Sequence, residues 1–475
     1  HPVAHSFPTR RSSDLLSLGY TYYGNGLKKS FTGPDGIGYT YSYDNNNQLT
    51  EIKIPEVGSI TVNDYQWNRP ARITLPGGTT KTYAYDPLMR VKTIASYDPA
   101  GNLLMQYGYD YDKMNNITAK QTEHGDYVYD YDNLYRLTMA ENPTLTDESY
   151  TYDPVGNRLT SSEYNGWSYN ANNELQDYDD VFLDYDENGN TVRKTAGSEI
   201  TRYIYNIEDR LERVEDTAGN IIATYYYDPF GRRLWKEVSG IRTYFLYADE
   251  GLIGEYDEYG TEIKTYGWKP VGTWTTDPLF MKVGSQHFFY HNDHLGTPQK
   301  MTATNGAVVW QAMYSSFGRS TVEVEMIENK LRFPGQYFDS ETGFYYNFNR
   351  YYSPLLGRYV KSDPIYPQRI TNAFIRAKII SNNLYPYVES SPLNAVDPQG
   401  LTDYYKNMPK VTPADTFKIV NYFLDFFNAI NLSNEAMRKI VEIEYEIECS
   451  EEEIVSLCFD SYPRPHNVTV NKGSA

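Results

Sequence analysis

The 475-residue chain contains few of the residues that build disulfides, metal sites and membrane spans. Its two cysteines, Cys449 and Cys458, lie near the C-terminal end, and this number and spacing give neither a disulfide framework nor a zinc site. The most apolar stretch, residues 419–430, contains Asn421 and Asp425 and is shorter than the roughly 18 residues that a membrane-spanning helix needs. We therefore expect no metal, no cofactor and no membrane span.

Positive charge is also scarce. Lysine and arginine number 43 against 62 aspartates and glutamates, which gives a formal net charge of −19 at pH 7. Proteins that bind nucleic acid usually carry a basic stripe, and the acidic balance of this chain argues against such a surface. We therefore expect no nucleic-acid partner.

Tyrosine, in contrast, is abundant, with 49 copies. Many of them recur in one phrase, Tyr-x-Tyr-Asp, which is followed by a Gly, Asn or Pro turn and then by Arg or Leu. Ten steps lead from Tyr43 to Tyr247, and the resulting mean period of about 20 residues is typical of an internal structural repeat. Clear copies begin at Tyr41, Tyr83, Tyr129, Tyr150 and Tyr225, and weaker copies lie at Tyr111, Tyr169, Tyr185, Tyr205 and Tyr247.

The repeated phrase predicts a β-hairpin. Two tyrosines two residues apart lie on the same face of a strand. The Asp that follows bonds to the backbone two residues on, Pro fixes φ, and Gly or Asn accepts positive φ, so the strand ends in a turn. A single hairpin cannot bury its tyrosine face, and the copies are therefore expected to pair edge to edge. The predicted fold is all-β: one long antiparallel sheet that curls as it grows.

Three groups of residues have both a structural and a functional interpretation. The tyrosines pack the sheet, which the turn chemistry favours, or they form an aromatic ladder that binds carbohydrate. His291 and His294 belong to a turn beside Gly296, which the absence of a third ligand favours, or they bind a metal. Residues 186–190 form an ordinary turn or, less in keeping with their spacing, a calcium loop.

A different set of motifs begins after Gly260. They are YHNDHLGTP at 290–298, RFPGQYFD at 332–339, ETGFYYN at 341–347, RYYSP at 350–354, GRYVKSDPI at 357–365 and DPQGL at 397–401. This ordered series resembles the Rhs-repeat-associated core domain, and the hairpins before it resemble YD repeats. The resemblance covers about residues 20–401.

The resemblance implies a β-shell, or cocoon, wound from hairpins. Residues 16–260 would form the YD-repeat shell, residues 261–401 the core domain that plugs it, and residues 402–475 a variable segment held inside as cargo, commonly a toxin. Residues 1–15 share neither the tyrosine phrase nor the acidity and resemble a translated sequencing-adaptor artefact. Because the chain also starts at His1, we expect an N-terminally truncated fragment with a partial shell.

The resemblance also implies an aspartyl-protease-like site that cuts the chain behind the core domain. By motif, Asp363 and Asp397 are the two carboxylates, and the bond between Leu401 and Thr402 is the one cut. Two carboxylates that share a proton divide the work: the charged one activates water and the protonated one donates to the substrate. Arg358, five residues before the first Asp, is the candidate that keeps one carboxylate ionised.

A structural interpretation of the two Asp-Pro motifs stays open. Asp-Pro also opens turns elsewhere in the chain, where no catalysis is expected, at Asp86, Asp98, Asp153, Asp228 and Asp277. In addition, Tyr366 replaces the Gly that is usual after Asp-Pro-Ile, and residues 366–382 form a longer insert than the family pattern has. The Ala and Ile spacing within this insert predicts a helix that displaces the first Asp.

Helical sequence patterns begin after Leu401. A capping residue, Thr412, precedes Pro413, and apolar residues recur on one face, which predicts a helix over about 413–430. Ser450 begins a capping box for a second, shorter helix, and residues 441–448 alternate as a strand does. No nuclease, deaminase or ADP-ribosylating pattern is evident, so the segment is a small helical cargo, a degenerate one or a truncated remnant.

The leading functional hypothesis is a secreted or surface-exposed bacterial shell protein that encloses its own C-terminal segment and releases it by autoproteolysis. It has no other chemistry on this hypothesis, and its partners are its own cargo and a secretion-system or shell partner protein. The alternative is a non-cleaving adhesion protein that binds carbohydrate or another protein. A third possibility is that residues 402–475 are themselves an active toxin.

Overall fold

The structure is a computed structural model, and it describes residues 4–5, 16–364, 383–401 and 404–405. These residues belong to one compact unit, His1–Asn407. Nearly all of the predicted leader, the helix predicted in the insert and the helices predicted in the C-terminal segment lie outside the described residues. Within the described part of the chain, no helix has the length and apolar character that crossing a membrane requires.

Two sheets are formed by the first part of the chain. The short strands β1 (Ala4–His5) and β2 (Leu16–Ser17) pair with each other. A fourteen-stranded sheet follows, in which each strand pairs with its neighbour in sequence. Its strands are β3 (Gly19–Tyr22), β4 (Lys28–Thr32), β5 (Gly38–Tyr43), β6 (Leu49–Ile54), β7 (Gly58–Gln66), β8 (Arg69–Thr74), β9 (Thr80–Tyr85), β10 (Val91–Tyr97), β11 (Leu103–Tyr111), β12 (Ile117–Thr122), β13 (Gly125–Tyr131), β14 (Leu137–Glu141), β15 (Glu148–Tyr152) and β16 (Arg158–Ser161).

A sixteen-stranded sheet continues the same pattern of sequential pairing. Its strands are β17 (Ser168–Tyr169), β18 (Leu175–Tyr178), β19 (Val181–Tyr185), β20 (Thr191–Ala196), β21 (Glu199–Tyr205), β22 (Leu211–Glu215), β23 (Ile221–Tyr227), β24 (Arg233–Val238), β25 (Ile241–Ala248), β26 (Gly251–Tyr256), β27 (Glu262–Gly267), β28 (Phe280–Val283), β29 (Gln286–Asn292), β30 (Pro298–Ala303), β31 (Val308–Tyr314) and β32 (Ser320–Glu325).

The last described part of the chain forms smaller elements. A four-stranded sheet consists of β33 (Tyr337–Asp339), β34 (Phe344–Asn347), β35 (Arg350–Ser353) and β36 (Arg358–Tyr359). After the insert come a 3₁₀ helix (Tyr387–Ser390) and the paired strands β37 (Ala395–Val396) and β38 (Tyr404–Tyr405).

The prediction of an all-β array of antiparallel hairpins is confirmed, because consecutive strands pair throughout both long sheets. The boundary predicted between residues 260 and 261 does not coincide with a change of sheet. β26 pairs with β27 across that position, and the sheets change after β16 and after β32. The tyrosine phrase becomes irregular after Gly260, but the hairpins continue in the same sheet.

The Asp of the repeated phrase forms a recurrent turn. At Asp153, Oδ1 accepts the backbone N–H groups of Val155 and Asn157 at 3.0 and 2.8 Å, and Oδ2 accepts the side-chain amide of Asn157 at 2.9 Å. Local bonds of this kind satisfy the backbone where a strand reverses. The two backbone bonds recur at Asp44, Asp86, Asp98, Asp112, Asp132, Asp186, Asp216, Asp228, Asp257 and Asp293.

The second tyrosine of the phrase bonds to the preceding hairpin. The hydroxyl of Tyr152 donates to the main-chain carbonyl of Leu137, the first residue of β14, at 2.8 Å. In each such bond the acceptor is the first residue of an earlier strand. The bond therefore joins equivalent positions of successive hairpins. The same bond joins Tyr43 to Lys28, Tyr65 to Leu49, Tyr111 to Val91, Tyr131 to Ile117, Tyr169 to Arg158, Tyr227 to Leu211 and Tyr247 to Arg233. We call this series the tyrosine ladder.

The first tyrosine of the phrase packs into the core. Tyr109, Tyr129 and Tyr225 are 0%, 3% and 1% exposed. A sugar ring stacks on an open aromatic face, and these buried rings offer none. The burial agrees with the packing interpretation, and the carbohydrate alternative has no support from these residues.

Buried polar pairs connect the two long sheets. Lys28 lies 2.6 Å from Glu250, and Lys282 lies 2.7 Å from Asp35. Burying charge is costly unless it is paired and hydrogen-bonded, and each ammonium meets a carboxylate from the other sheet. These pairs therefore tie the two long sheets to each other.

The two histidines of the YHNDHLGTP motif have different protein partners. His291 is fully buried, and its Nδ1 and Nε2 lie 2.9 and 3.0 Å from the hydroxyls of Ser96 and Thr302. Burial, followed by the charges of nearby lysines, lowers the pKa of His291 well below its ordinary value. His294 Nε2 lies 2.8 Å from the carbonyl of Leu393. Among the described residues, no group of three potential ligands is placed to hold a metal.

The four-stranded sheet is anchored to the sixteen-stranded sheet by a buried ionic cluster. Asp339, at the end of β33, accepts from Arg233 Nη2 and from Lys236 Nζ, each at 3.0 Å. Burial opposes ionisation of Asp339, but the two cations outweigh it and lower the pKa of this carboxyl. Breaking such a buried pair by removing one partner typically costs about 3–5 kcal/mol. The cluster therefore holds β33–β36 firmly against the longer sheet.

Candidate active site

Arg350 lies where the two Asp-Pro motifs meet. It is the first residue of β35, while Asp363 follows β36 and Asp397 follows β37. Arg350 Nη2 is 3.1 Å from Oδ2 of Asp397 and 3.7 Å from Oδ2 of Asp363. The side chain of Arg350 is 4% exposed, that of Asp397 is 1% exposed and that of Asp363 is 11% exposed. The fold thus brings the two carboxylates predicted from the sequence to one guanidinium group in a nearly buried position.

Several donors converge on Asp397. Tyr359 donates its hydroxyl to Oδ2 at 2.8 Å, and the backbone N–H of Leu401 donates to Oδ1 at 2.9 Å. Burial and then the charge of Asp397 raise the pKa of Tyr359 well above its ordinary value, so this hydroxyl is a donor at neutral pH. With Arg350, these groups give a charged carboxylate the hydrogen bonds that it needs in a buried site.

The loop from Asp397 to Leu401 is held in place by the hairpin between β34 and β35. Asn347 Nδ2 donates to the main-chain carbonyl of Asp397 at 2.7 Å, and Arg350 Nε donates to the carbonyl of Gly400 at 2.6 Å. The approach is close, because a Cβ at Gly335 would lie 2.0 Å from the carbonyl oxygen of Pro398. A side chain larger than hydrogen at that position would push the loop away from the carboxylates.

The segment that carries Asp363 is held by turns of the sixteen-stranded sheet. Lys361 Nζ donates to the carbonyl of Asp209 at 2.6 Å, and the N–H of Ser362 donates to the carbonyl of Gly189 at 3.2 Å. The backbone of Thr191 also donates to the carbonyl of Val360 at 3.0 Å. The two carboxylates therefore rest on different supports: Asp363 on the long sheet and Asp397 on the four-stranded sheet.

Arg358 lies away from the two carboxylates. Its Nη2 donates to the carbonyl of Asn173 at 2.7 Å, and its guanidinium packs over the rings of Tyr169 and Tyr385. The ionic position that the sequence analysis gives to Arg358 is occupied by Arg350. Spacing along the chain suggested Arg358, but this residue, the first of β36, contacts the β17–β18 hairpin instead.

The predicted cleavage position lies in sequence between β37 and β38. Leu401 is described and bonded to Asp397, whereas Thr402 lies outside the described residues. β37 and β38 pair antiparallel, with Ala395 opposite Tyr405. The insert 366–382 also lies outside the described residues, although Asn383, directly after it, donates to Asn157 at 2.6 Å. Asp363, before the insert, contacts Arg350, and the displacement of the first Asp by the insert stays a prediction.

Sequence reasoning missed three residues of this site. Arg350, Tyr359 and Asn347 all belong to motifs that carry the family resemblance, but their residue types alone assign them no role. Arg-Tyr-Tyr and Gly-Arg-Tyr are equally well explained by strand packing in so tyrosine-rich a chain. One feature of the sequence could have indicated Arg350: it is the first residue of a strand and directly follows a turn, and a long side chain at such a position can reach a neighbouring loop.

The hairpin sheets and their small four-stranded companion define a shell protein built from YD repeats. A model of the teneurin YD-shell family matches residues 110–393, which is more than half of the chain. The chain belongs to this family, together with the Rhs-type proteins that share its repeats.

Curated relatives and a solved structure support this assignment. Double-stranded DNA deaminase toxin A of Burkholderia cenocepacia is 30% identical over 368 residues, which are 69% of this chain and 25% of that protein. The tRNA3(Ser)-specific nuclease WapA of Bacillus spizizenii is 28% identical over 374 residues, which are 76% of this chain and 15% of that protein. The chain thus spans a quarter or less of these relatives' length.

The structural similarity extends over most of the chain. A crystal structure of TcdB2-TccC3-Cdc42 superposes with a TM-score of 0.65 at 19% sequence identity, covering 82% of this chain and 22% of that chain. At this identity the match concerns the fold. It shows that the hairpin array adopts the arrangement of a Tc-toxin shell.

Proposed function

We propose that this chain is an exported Rhs-type shell protein that encloses its own C-terminal segment and releases it by cutting the bond between Leu401 and Thr402. Family membership supports the shell, and the names of the relatives, a deaminase toxin and a nuclease, support a toxin as the released segment. The delivery of that segment to another cell, with a secretion-system or shell partner, is part of the same proposal.

The chemistry assigned to the site is hydrolysis by a carboxylate pair. Asp397 accepts a proton from a water molecule, and the oxygen of that water attacks the carbonyl carbon of Leu401. Asp363 donates a proton to the nitrogen of Thr402 as the C–N bond breaks, which leaves a carboxylate on Leu401 and an amine on Thr402. Arg350 bonds Asp397 and orients both carboxyl groups, and Tyr359 fixes the second oxygen of Asp397.

One observation carries the proposal more than any other. Asp363 and Asp397 contact the same guanidinium nitrogen, and Asp397 also bonds the backbone N–H of Leu401. Residues from two separate motifs thus meet at Arg350, and one of them also bonds Leu401. If Asp397 only formed a turn, its bond to the N–H of Leu401 would be expected, because the other turn-forming Asp residues bond the residue four positions on in the same way. The approach of Asp363 and Asp397 to one guanidinium would not be expected.

The test is to express the complete 475-residue chain and follow it by denaturing electrophoresis and intact mass. We expect a fragment of residues 402–475 whose first residue is Thr402. Asp363→Asn should abolish this fragment, because an amide cannot deliver the proton that the leaving nitrogen needs. Asp228→Asn is the matched control, since Asp228 only forms a turn. An intact parent chain, or a fragment that survives Asp363→Asn, would contradict the proposal.

A further inference from the structure

A cavity lies between strands β18–β21 of the sixteen-stranded sheet and the four-stranded sheet. Its volume is about 340 Å³. Neither Asp363, Asp397 nor Arg350 lines it. Small-molecule sites usually begin at about 300 Å³ and combine apolar walls with a few polar groups, so the cavity has the size of a ligand site.

The walls of the cavity are mainly aromatic. Tyr178 and Tyr203 approach from the long sheet, and Phe344 and Tyr345 approach from β34. Aromatic walls of this kind contribute large apolar area and favour flat or ring-shaped ligands, because the rings stack or meet edge to face. An inorganic ion such as phosphate would leave these walls without a partner.

The charge of the cavity is opposite to that of the chain. Lys194, Arg319 and Arg358 line it, whereas none of its described lining residues is Asp or Glu. The chain as a whole has 62 acidic residues against 43 basic ones, so a cavity with three cations and no acid departs from its surroundings. Arg319 is paired with Glu163, which is not one of the lining residues.

The other two cations have donors to spare. Lys194 makes no hydrogen bond or ion pair with the described residues, and burial lowers its pKa. Arg358 is 6% exposed, and its Nε has no partner among the described residues, while its Nη2 meets a single carbonyl. Buried donors that lack partners are costly. A bound anion would give the half-buried Lys194 ammonium a partner.

We propose that this cavity binds a small organic anion. Its aromatic or apolar body packs between the tyrosine and phenylalanine walls, and its carboxylate or sulfonate group is held by Lys194, while Arg319 and Arg358 add positive charge to the walls. Charge-assisted bonds to Lys and Arg are about twice as strong as neutral ones, so the charged group orients the ligand. Neither carboxylate takes part in this site, although Tyr359, which bonds Asp397, also lines the cavity.

The proposal is tested by calorimetric titration of the complete chain with two probes of the same ring system. One is 1-naphthalenesulfonate, an aromatic anion, and the other is the neutral 1-naphthalenemethanol. We expect the anion to bind at one site per chain and roughly tenfold more tightly than the neutral probe, as one charge-assisted bond provides. Equal affinity for the two probes, or no saturable binding of the anion, would overturn the proposal.

Substitution of Lys194 tests whether the anion binds in this cavity or elsewhere on the chain. Lys194→Gln should weaken binding of the anion by roughly tenfold and leave the neutral probe unchanged, because only the ammonium is lost. Lys53→Gln, which removes an exposed lysine on β6, is the matched control and should change neither affinity. Unchanged binding of the anion by Lys194→Gln would show that it binds elsewhere and would overturn the assignment.

Discussion

The turns at Asp153 and Asp397 share one local bond and differ in their surroundings. In both, Oδ1 of the Asp accepts the N–H of the residue four positions on, at 2.8 Å from Asn157 and at 2.9 Å from Leu401. The second oxygen differs. At Asp153 it accepts from Asn157 within the same turn, and at Asp397 it accepts from Tyr359 and Arg350, which lie 38 and 47 residues away.

The difference shows how a repeat protein can place a reactive group on a structural motif. Wherever the phrase occurs, the turn holds a carboxylate in a fixed orientation. The side chain four residues on usually donates a hydrogen bond to the second oxygen of this carboxylate. At Asp397 the residue at i+4 is Leu401, whose side chain cannot donate, so the second oxygen is open to groups from another strand. The candidate site thus depends on tertiary contacts that are added to a turn common to the whole array.

Exchanging the acid for its amide should give the largest difference between the two turns. Asp397→Asn should abolish cleavage, because an amide cannot accept a proton from water, while Asp153→Asn should leave cleavage unchanged. Both variants should fold, since Asn forms the same turn. Intact mass of the two proteins after purification decides the matter. Cleavage of the Asp397→Asn chain would show that another group is the base.

The arginines near the two turns should rank second. Arg350→Lys should slow cleavage by roughly 100-fold, because an ammonium cannot replace a planar fork that bonds Asp397, Gly400 and Leu384 at once. Arg136→Lys changes the arginine that bonds Asp132 and the carbonyl of Asp153 and is the control. It should lower the free energy of unfolding by about 1 kcal/mol and leave cleavage unchanged. Cleavage time courses and denaturant unfolding measure both effects.

The tyrosines of the two regions should respond differently to alkali. Burial raises the pKa of Tyr152 to about 12, although the charge of Arg158 lowers it. At Tyr359 the charge of Asp397 adds to burial and raises the pKa well above its ordinary value. Unfolded tyrosine ionises near pH 10, so above that pH the folded state holds more protons than the unfolded state. The free energy of unfolding should therefore decrease as pH rises from 10 to 12.

Absorbance of tyrosinate in the folded chain distinguishes the two residues. Tyr152→Phe should remove part of the absorbance rise near pH 12, and Tyr359→Phe should leave it unchanged, provided that circular dichroism remains native. An equal reduction by both variants would mean that Asp397 does not raise the pKa of its neighbour.

Removing the two hydroxyls should give the smallest effects. Tyr152→Phe breaks the bond to Leu137, Tyr359→Phe breaks the bond to Asp397, and each should lower the free energy of unfolding by about 1 kcal/mol. Only Tyr359→Phe should also slow cleavage, by a factor of a few, because it loosens the carboxylate. If Tyr152→Phe slowed cleavage equally, the effect would come from the stability of the shell.

Local interactions explain why the fold was predictable from the sequence. The phrase that ends in Tyr152 and Asp153 sets a strand, a turn and a bond to the previous hairpin, all within about 20 residues. The change of sheet after β16 was not predictable, because no residue of the phrase marks it.

The candidate site was predictable only in part. The motifs identified Asp363 and Asp397, and the structure places them together, while the arginine between them was assigned to Arg358 and is Arg350. The identity of that arginine depends on which side of the β34–β35 hairpin faces the DPQGL loop. Such a choice is made by packing between sheets, and a pattern along the chain does not contain it.

The support of Asp363 by the long sheet has a consequence for the order of folding. The bonds of the tyrosine ladder span few residues and can form hairpin by hairpin, whereas Asn383 bonds Asn157 across 226 residues and Lys361 bonds Asp209 across 152. Closing such long loops is slow and entropically costly, so these contacts form after the hairpins that they require. In the proposed reaction, the carboxylate pair is complete only when both sheets are in place. Cleavage then marks the end of folding and is delayed until the shell exists.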